Sequence, residues 1–189
     1  MQPPDFDAMY AADPDPWNVR DSWYERRKEA VVLALLARER YVHAWDAASG
    51  TGDLALALSR RCERLTATDA SSRAVALTGD LLADTSATVA ESRLPEVPSL
   101  AEPPDLVVLS EVLYYLPDAD PLRTLEAVGE AVRPSAELVV VHWRHHPDDA
   151  FLAGAAATEE ADQVLRERGW ERLAWHDDRH FVVASWVRP

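Results

Sequence analysis

The sequence predicts an α/β protein built on a seven-stranded, mostly parallel sheet with a C-terminal antiparallel hairpin and a helical N-terminal lid. Short apolar runs alternate with helix-like segments from residue 41 onward. Two of the runs, "DLVVLSE" and "AELVVVHW", are apolar on both faces, as strands of a buried parallel sheet are. The last two runs, "ERLAWHD" and "HFVVASWV", are separated by only a few residues, which is the spacing of a hairpin.

The alternation gives the predicted elements in order. The predicted strands are residues 41–48, 64–69, 87–91, 105–111, 136–143, 171–177 and 180–187. The predicted helices are residues 22–38, 53–62, 72–83, 121–132 and 159–168. Ser22 and Glu25 form a capping box that opens the first helix, Pro134 follows the fourth, and Gly169 is placed to end the fifth. Residues 1–20 are rich in proline and aspartate and are predicted to be irregular.

Length and composition limit the domain count and the partners. The 189 residues suit one domain, with residues 1–40 as lid and helix and residues 41–189 as the α/β core. The net charge of −14 disfavours nucleic acid and anionic membrane as partners, but it is compatible with a cationic small molecule. The chain shows no apolar run of membrane-spanning length and no signal pattern, and its single cysteine, Cys62, at a predicted helix end, cannot form an internal disulfide. We therefore expect a cytoplasmic protein.

A glycine turn follows the first predicted strand. The stretch "AWDAASGTGDLAL" places Gly50 and Gly52 directly before a helix, where the backbone can approach a ligand closely. The pattern also fits a dinucleotide fingerprint, but Asp46 precedes the turn, and a carboxylate there does not suit a pyrophosphate. Asp69 ends the second strand, where a carboxylate can accept hydrogen bonds from a ribose diol.

Together these residues favour a nucleoside with a cationic amino-acid tail and no phosphate, which describes S-adenosylmethionine (SAM). Only about 75 residues follow the fourth strand, and no Tyr-x-x-x-Lys pair is present, so a full dehydrogenase is disfavoured. A glycine turn without any ligand remains the structural alternative.

On these motifs the chain resembles the class I SAM-dependent methyltransferases, which have a Rossmann-like fold, over essentially its whole length. The stretch from Asp46 to Gly52 is similar to the D/E-x-G-x-G-x-G loop of that class, except that Ala48 replaces the first glycine. Within the class, three stretches are similar to the nodulation N-methyltransferase (NodS-like) group: "DPWNVRDSWYERRK", "LSEVLYYL" and "VVVHWRHH". The substrate of that group, an amino group on a chito-oligosaccharide, does not transfer with these motifs.

The resemblance implies SAM as cofactor, S-adenosylhomocysteine (SAH) as product, and a set of cofactor-binding residues. The predicted set from the core is Asp46, Ser49, Gly50, Thr51, Gly52, Asp69, Ala70, Ser71, Ser92, Arg93 and Ser110. The N-terminal lid is expected to fold over the pocket and to add Tyr24, with Arg27 or Arg20 meeting the methionine carboxylate. Residues 145–158 are the other candidate cover.

Three residues are the predicted catalytic or orienting groups. Glu111, at the fourth-strand exit, can orient an amine or accept its proton, or it can simply cap the next turn. His142, at the fifth-strand exit, titrates in the range of a general base, or it is a buried structural histidine. Tyr115 is favoured over Tyr114 as the pocket wall that touches SAM or the acceptor.

The reaction predicted from these groups is transfer of a methyl group to a small-molecule acceptor, an amine nitrogen in the first instance. A hydroxyl acceptor and a non-catalytic scaffold or regulatory protein are the alternatives. No metal is predicted, because Glu111 is followed by tyrosines where related RNA enzymes carry E-x-x-E-H. The chain is expected to be a monomer or a homodimer, without nucleic-acid or membrane partners.

Overall fold

The computed structural model describes residues 4–189 and contains one seven-stranded sheet with helices on both faces. The strands are β1 (Tyr41–Ala47), β2 (Cys62–Asp69), β3 (Thr88–Glu91), β4 (Leu106–Ser110), β5 (Glu137–Trp143), β6 (Glu171–Asp177) and β7 (Phe181–Val187). The helices are α1 (Phe6–Ala12), α2 (Trp23–Leu35), α3 (Asp53–Ser59), α4 (Ser72–Leu81), α5 (Asp120–Ala131) and α6 (Gly154–Glu167), with a short 3-10 helix at Leu113–Tyr115.

The strand order is β3-β2-β1-β4-β5-β7-β6. The first five strands pair in parallel, and β7 is antiparallel to both β5 and β6. The chain reverses its direction of travel across the sheet between β1 and β4, so the carboxyl ends of these strands open a crevice there. The predicted fold class, including the closing hairpin, is confirmed.

Two apolar layers fill the space between the sheet and its helices. Alternate residues of β4 point to opposite faces: Val107 and Leu109 join one layer, and Leu106 and Val108 join the other. The first layer packs against α5 and α6, and the second packs against α2 and α3. All four of these β4 side chains are fully buried, which explains why the run is apolar without alternation.

The predicted irregular N-terminus is wrong for part of its length, because α1 forms there. Asp5 caps the helix by accepting a hydrogen bond from the backbone N–H of Ala8. Tyr10 is buried, and the Asp7 carboxylate accepts a hydrogen bond of 2.6 Å from the Ser71 hydroxyl at the start of α4. Tertiary packing therefore stabilises a helix that the proline-rich sequence around it does not predict.

Other helix and strand boundaries also differ from the predicted ones. α2 ends at Leu35 instead of residue 38, because the next backbone N–H groups turn to Glu137 and Tyr41. Cys62 is the buried first residue of β2, not a helix end. α6 begins at Gly154, five residues earlier than predicted, so the loop that covers the crevice is shorter than residues 145–158.

Candidate active site

The loop after β1 turns sharply toward the crevice. The backbone N–H groups of Ala48 and Ser49 both donate to the carbonyl of Thr68 at 2.8 Å, which ties the loop to β2. Gly50 and Gly52 have φ values of +56° and +87°, in the left-handed region where glycine carries no steric penalty. Ala48 has a φ of +88°, so this alanine occupies a conformation that favours glycine. The predicted cradle is therefore present, with strain at the position where the motif departs from its usual form.

Asp69 joins this loop to the end of β2. Its Oδ2 accepts a hydrogen bond from the backbone N–H of Gly50, and its Oδ1 accepts one from that of Ser71, both at 2.9 Å. Burial raises the pKa of this carboxyl, and the backbone hydrogen bonds oppose that rise. The carboxylate is thus fixed in direction at the crevice wall and retains lone pairs for further donors.

Asp46 lies one layer deeper, at the end of β1. Its side chain is only 1% exposed, and neither carboxylate oxygen has a hydrogen-bond partner among the described residues. Burial, and then the nearby charge of Asp69, raise the pKa of Asp46 to about 7. A buried carboxylate without a donor is costly, which is why its neutral form is favoured, and a cationic ligand nearby would favour the ionised form.

A cavity of about 800 Å³ occupies the crevice at the carboxyl ends of the strands. It is lined by most of the residues predicted from the sequence: Tyr24, Ser49, Gly50, Thr51, Asp69, Ala70, Ser92, Arg93, Ser110, Glu111 and Tyr115. The cavity is therefore bounded by the glycine loop and Asp69 at one end and by Glu111 and Tyr115 at the other. Its volume is of the size that holds small ligands, on the order of 300–1,000 Å³.

The structure does not bring five of the predicted residues to the cavity wall: Asp46, Gly52, Ser71, Arg27 and His142. Gly52 and Ser71 support the wall from behind, since Gly52 ends the glycine loop and the Ser71 hydroxyl caps α4. Arg27 points away, where it bonds Asp178 at 2.5 Å and lies over the Phe181 ring. Arg20, the alternative to Arg27, does line the cavity.

His142 is fully buried behind the wall. Its Nδ1 lies 2.9 Å from the Thr158 hydroxyl, and its ring centroid lies 5.0 Å from that of Tyr114. Burial lowers the pKa of His142 to about 4, against the attraction of Glu111. The Nε2 atom is buried without a hydrogen-bond partner among the described residues. A direct contact between His142 and a ligand in this cavity would require rearrangement.

Glu111 is surrounded by donors. Its Oε1 accepts from Lys28 Nζ at 2.5 Å, and its Oε2 accepts from the Tyr114 hydroxyl at 2.5 Å and from the backbone N–H of Trp143 at 2.6 Å. Although burial favours the neutral carboxyl, the Lys28 charge and these hydrogen bonds lower the pKa of Glu111. Its φ of +54° shows that the fold holds it in an uncommon backbone conformation. An ionised carboxylate held by three donors is suited to orienting an acceptor and is a weak base.

Sequence reasoning missed Lys28. Its side chain is 9% exposed, lines the cavity and pairs with Glu25 at 2.8 Å as well as with Glu111. Burial alone would lower the pKa of Lys28, but the two carboxylates raise it, so the ammonium is retained. The one available signal was compositional, because Lys28 is the single lysine in a chain with eighteen arginines.

The N-terminal helix was also missed as part of the wall. Phe6, Tyr10 and Trp17 line the cavity, and the Phe6 ring meets Tyr115 edge-on at a centroid distance of 5.2 Å. These aromatic side chains place α1 and the segment that follows it at the crevice.

The sequence predicts no metal site and no membrane-spanning segment, and the structure describes residues 4–189. In that range no group of three or more His, Cys, Asp or Glu side chains is arranged to hold a metal ion. None of the helices described there has the length and apolar character needed to cross a membrane.

The fold and the position of the cavity define the class I methyltransferase architecture, and comparisons with known proteins agree. The crystal structure of N-methyltransferase NodS from Bradyrhizobium japonicum WM9 in complex with SAH superposes with a TM-score of 0.80 at 22% identity, over 94% of each chain. A structure from Pseudomonas syringae is 36% identical, with a TM-score of 0.75, and covers 88% of this chain and 100% of its own.

The family model for nodulation protein S (NodS) matches residues 8–178, and the chain belongs to that family. Nodulation protein S of Sinorhizobium fredii is 30% identical over 130 residues, which are 66% of this chain. That match spans 59% of the Sinorhizobium protein. The resemblance deduced from the three sequence stretches is confirmed.

Proposed function

We propose that the protein is a SAM-dependent methyltransferase that acts on the amine nitrogen of a small molecule. The proposal rests on one observation: the glycine loop, Asp69 and Glu111 all line the same cavity. Membership of the NodS family, with a relative named as an N-methyltransferase and solved with SAH, supports it.

The residues at the glycine end fit SAM. The Asp69 carboxylate is held by Gly50 and Ser71 with lone pairs free for a ribose diol, and a cationic ligand would favour the ionised form of the unpartnered Asp46 carboxylate. Ser92 and Arg93 line the wall beside β3, where an adenine would lie, and Arg20 is available for a carboxylate. When bound, SAM supplies an electrophilic methyl group on a sulfonium.

At the other end the chain binds and orients the nucleophile. Glu111 is ionised and fixed, so it can accept a hydrogen bond from an acceptor N–H and direct the nitrogen lone pair toward the methyl group. Holding two reactants in line supplies on the order of 7–11 kcal/mol in favourable cases, so orientation is the main contribution that we assign to Glu111 and Tyr115. His142 supports this wall from behind.

The charges around the cavity favour a basic acceptor. Seven acidic residues line it: Glu25, Glu29, Asp53, Asp69, Glu111, Asp120 and Asp149. Four basic residues line it: Arg20, Arg26, Lys28 and Arg93. The excess of acid raises the local concentration of a cationic amine, which must give its proton to solvent water before the neutral nitrogen attacks.

The test combines binding with turnover. Calorimetry with SAH should show micromolar binding, and incubation with SAM should release SAH in the presence of glucosamine but not of N-acetylglucosamine or phenol. Turnover of phenol alone would replace the amine acceptor with a hydroxyl. A folded protein that binds neither SAM nor SAH would overturn the enzyme proposal and leave the scaffold alternative.

A further inference from the structure

Lys28 is a buried cation inside the proposed acceptor end of the cavity. The ammonium group contacts two carboxylate oxygens, Glu25 Oε2 at 2.8 Å and Glu111 Oε1 at 2.5 Å. A buried lysine is costly in its charged form, and these two partners make the charge tolerable. Burying three ionised groups costs the folded protein free energy that apolar side chains would not cost. Their presence in the cavity therefore indicates a role toward a ligand.

The two carboxylate contacts of Lys28 Nζ use two of the three N–H donors of its ammonium group. An ammonium has three N–H donors, and the described residues provide two oxygen acceptors for them. The Tyr24 ring, with its centroid 5.0 Å from Nζ, stabilises the charge but provides no lone pair. Since Lys28 lines the cavity, the third N–H is available to an oxygen of a bound molecule.

Glu111 has complementary capacity beside it. Oε2 already accepts from Tyr114 and Trp143, whereas Oε1 accepts from Lys28 alone. A carboxylate oxygen can accept two hydrogen bonds, so Oε1 can receive an N–H from the acceptor. Glu111 Oε1 can therefore accept one more hydrogen bond, and Lys28 Nζ can donate one. The two atoms are 2.5 Å apart.

We propose that Lys28 is a specificity-determining residue that donates its third N–H to an oxygen on the carbon next to the acceptor amine, while Glu111 receives the amine N–H. The site then prefers vicinal amino alcohols to simple amines. This inference rests on the proposed methyl transfer to nitrogen, and it adds the group that the enzyme recognises beside the nitrogen.

The first test compares two matched acceptors, trans-2-aminocyclohexanol and cyclohexylamine, by SAH release. We expect the wild type to favour the amino alcohol in kcat/KM by about tenfold or more, as for one charge-assisted hydrogen bond. Lys28→Met should bring the ratio close to one, and Lys28→Arg should restore part of it. Arg168→Met, which removes an ion-paired cation on a distant surface, should leave the ratio unchanged.

The second test does not depend on a variant that folds. Because Lys28 is the only lysine, labelling with lysine that carries carbon-13 at Cε alone gives one side-chain NMR signal. In SAH-saturated wild type, that signal should shift on addition of the amino alcohol and shift much less with cyclohexylamine.

Equal shifts with both amines, or no shift with either, would overturn the role of Lys28, and the proposed function would still be upheld by SAH release from SAM with an amine acceptor. Failure to bind SAH would overturn the proposed function and this inference together.

Discussion

The Asp69 carboxylate receives the backbone N–H of Gly50 at 2.9 Å, which couples the end of β2 to the glycine loop after β1. The two residues are 19 positions apart, and each lies at the end of a strand of one parallel pair. The same carboxylate therefore fixes the conformation of the loop and lines the cavity.

Replacing Asp69 tests this coupling. Asp69→Ala removes the anchor of the loop and the proposed ribose acceptor, so we expect the affinity for SAH to fall by about tenfold to a hundredfold. Calorimetry measures the effect. Asp69→Asn, which retains one acceptor oxygen, should lose less.

Asp80→Ala is the control, because Asp80 is exposed on α4. If Asp69→Ala and Asp80→Ala bound SAH equally well, with unchanged melting temperatures, Asp69 would not be part of the cofactor site.

Ala48 gives a prediction on stability. Its φ of +88° costs an alanine roughly 1–2 kcal/mol. Glycine removes that cost but adds about 0.4–1 kcal/mol of chain entropy to the unfolded state. Ala48→Gly should therefore stabilise the protein by about 0.5 kcal/mol, or about 1–2 °C in the melting temperature.

The same change one residue earlier provides the control. Ala47 is a fully buried residue of β1, so Ala47→Gly should lower the melting temperature. A lower melting temperature for Ala48→Gly as well would show that the strain at residue 48 is smaller than the entropy of the added glycine.

The fold and the glycine-loop side of the cavity could be predicted because their signals are local in sequence. Buried parallel strands are apolar on both faces, and Gly50, Gly52 and Asp69 lie at strand ends that a parallel sheet must bring together. In contrast, α1 and Lys28 depend on contacts between distant residues. Lys28 has the sequence appearance of a solvent-exposed helix residue, and only tertiary packing brings α2 beside Glu111. His142 lies at the predicted strand end, but its side chain is fully buried, and burial of one side chain behind a cavity wall is not visible in a local sequence pattern.

The two arginines considered for the methionine carboxylate are separated by the structure. Arg20 lines the cavity with Nε only 3.9 Å from Asp53, whereas Arg27 is bound to Asp178. We expect Arg20→Met to weaken SAH binding by about tenfold, the size of one charge-assisted hydrogen bond. Arg27→Met should leave the affinity for SAH unchanged. Calorimetry on both variants decides, and the opposite ranking would require the N-terminal segment to rearrange when SAH binds.

Asp46 predicts how stability depends on pH. Its pKa is about 7 in the folded protein against 3.8 as the ordinary value, because it is buried beside Asp69. Between these values the unfolded chain releases a proton that the folded protein retains, so stability falls as pH rises through that window. At pH 8 the full penalty applies, and it is absent below the lower value. Asp46→Asn, which cannot ionise, should therefore be more stable than the wild type at pH 8, by up to a few kcal/mol at about 1.4 kcal/mol per unit of pKa.

The measurement is the melting temperature of wild type and Asp46→Asn between pH 4 and pH 9 without ligand. The two curves should converge toward pH 4, separate as pH rises from 4 to 7 and keep a constant separation above about 7, while Asp84→Asn, at an exposed position after α4, should follow the wild type throughout. Parallel curves for Asp46→Asn and the wild type would mean that Asp46 ionises as easily in the folded protein as in the unfolded chain. Asp46 would then be ionised at neutral pH and would add its full negative charge to that of Asp69.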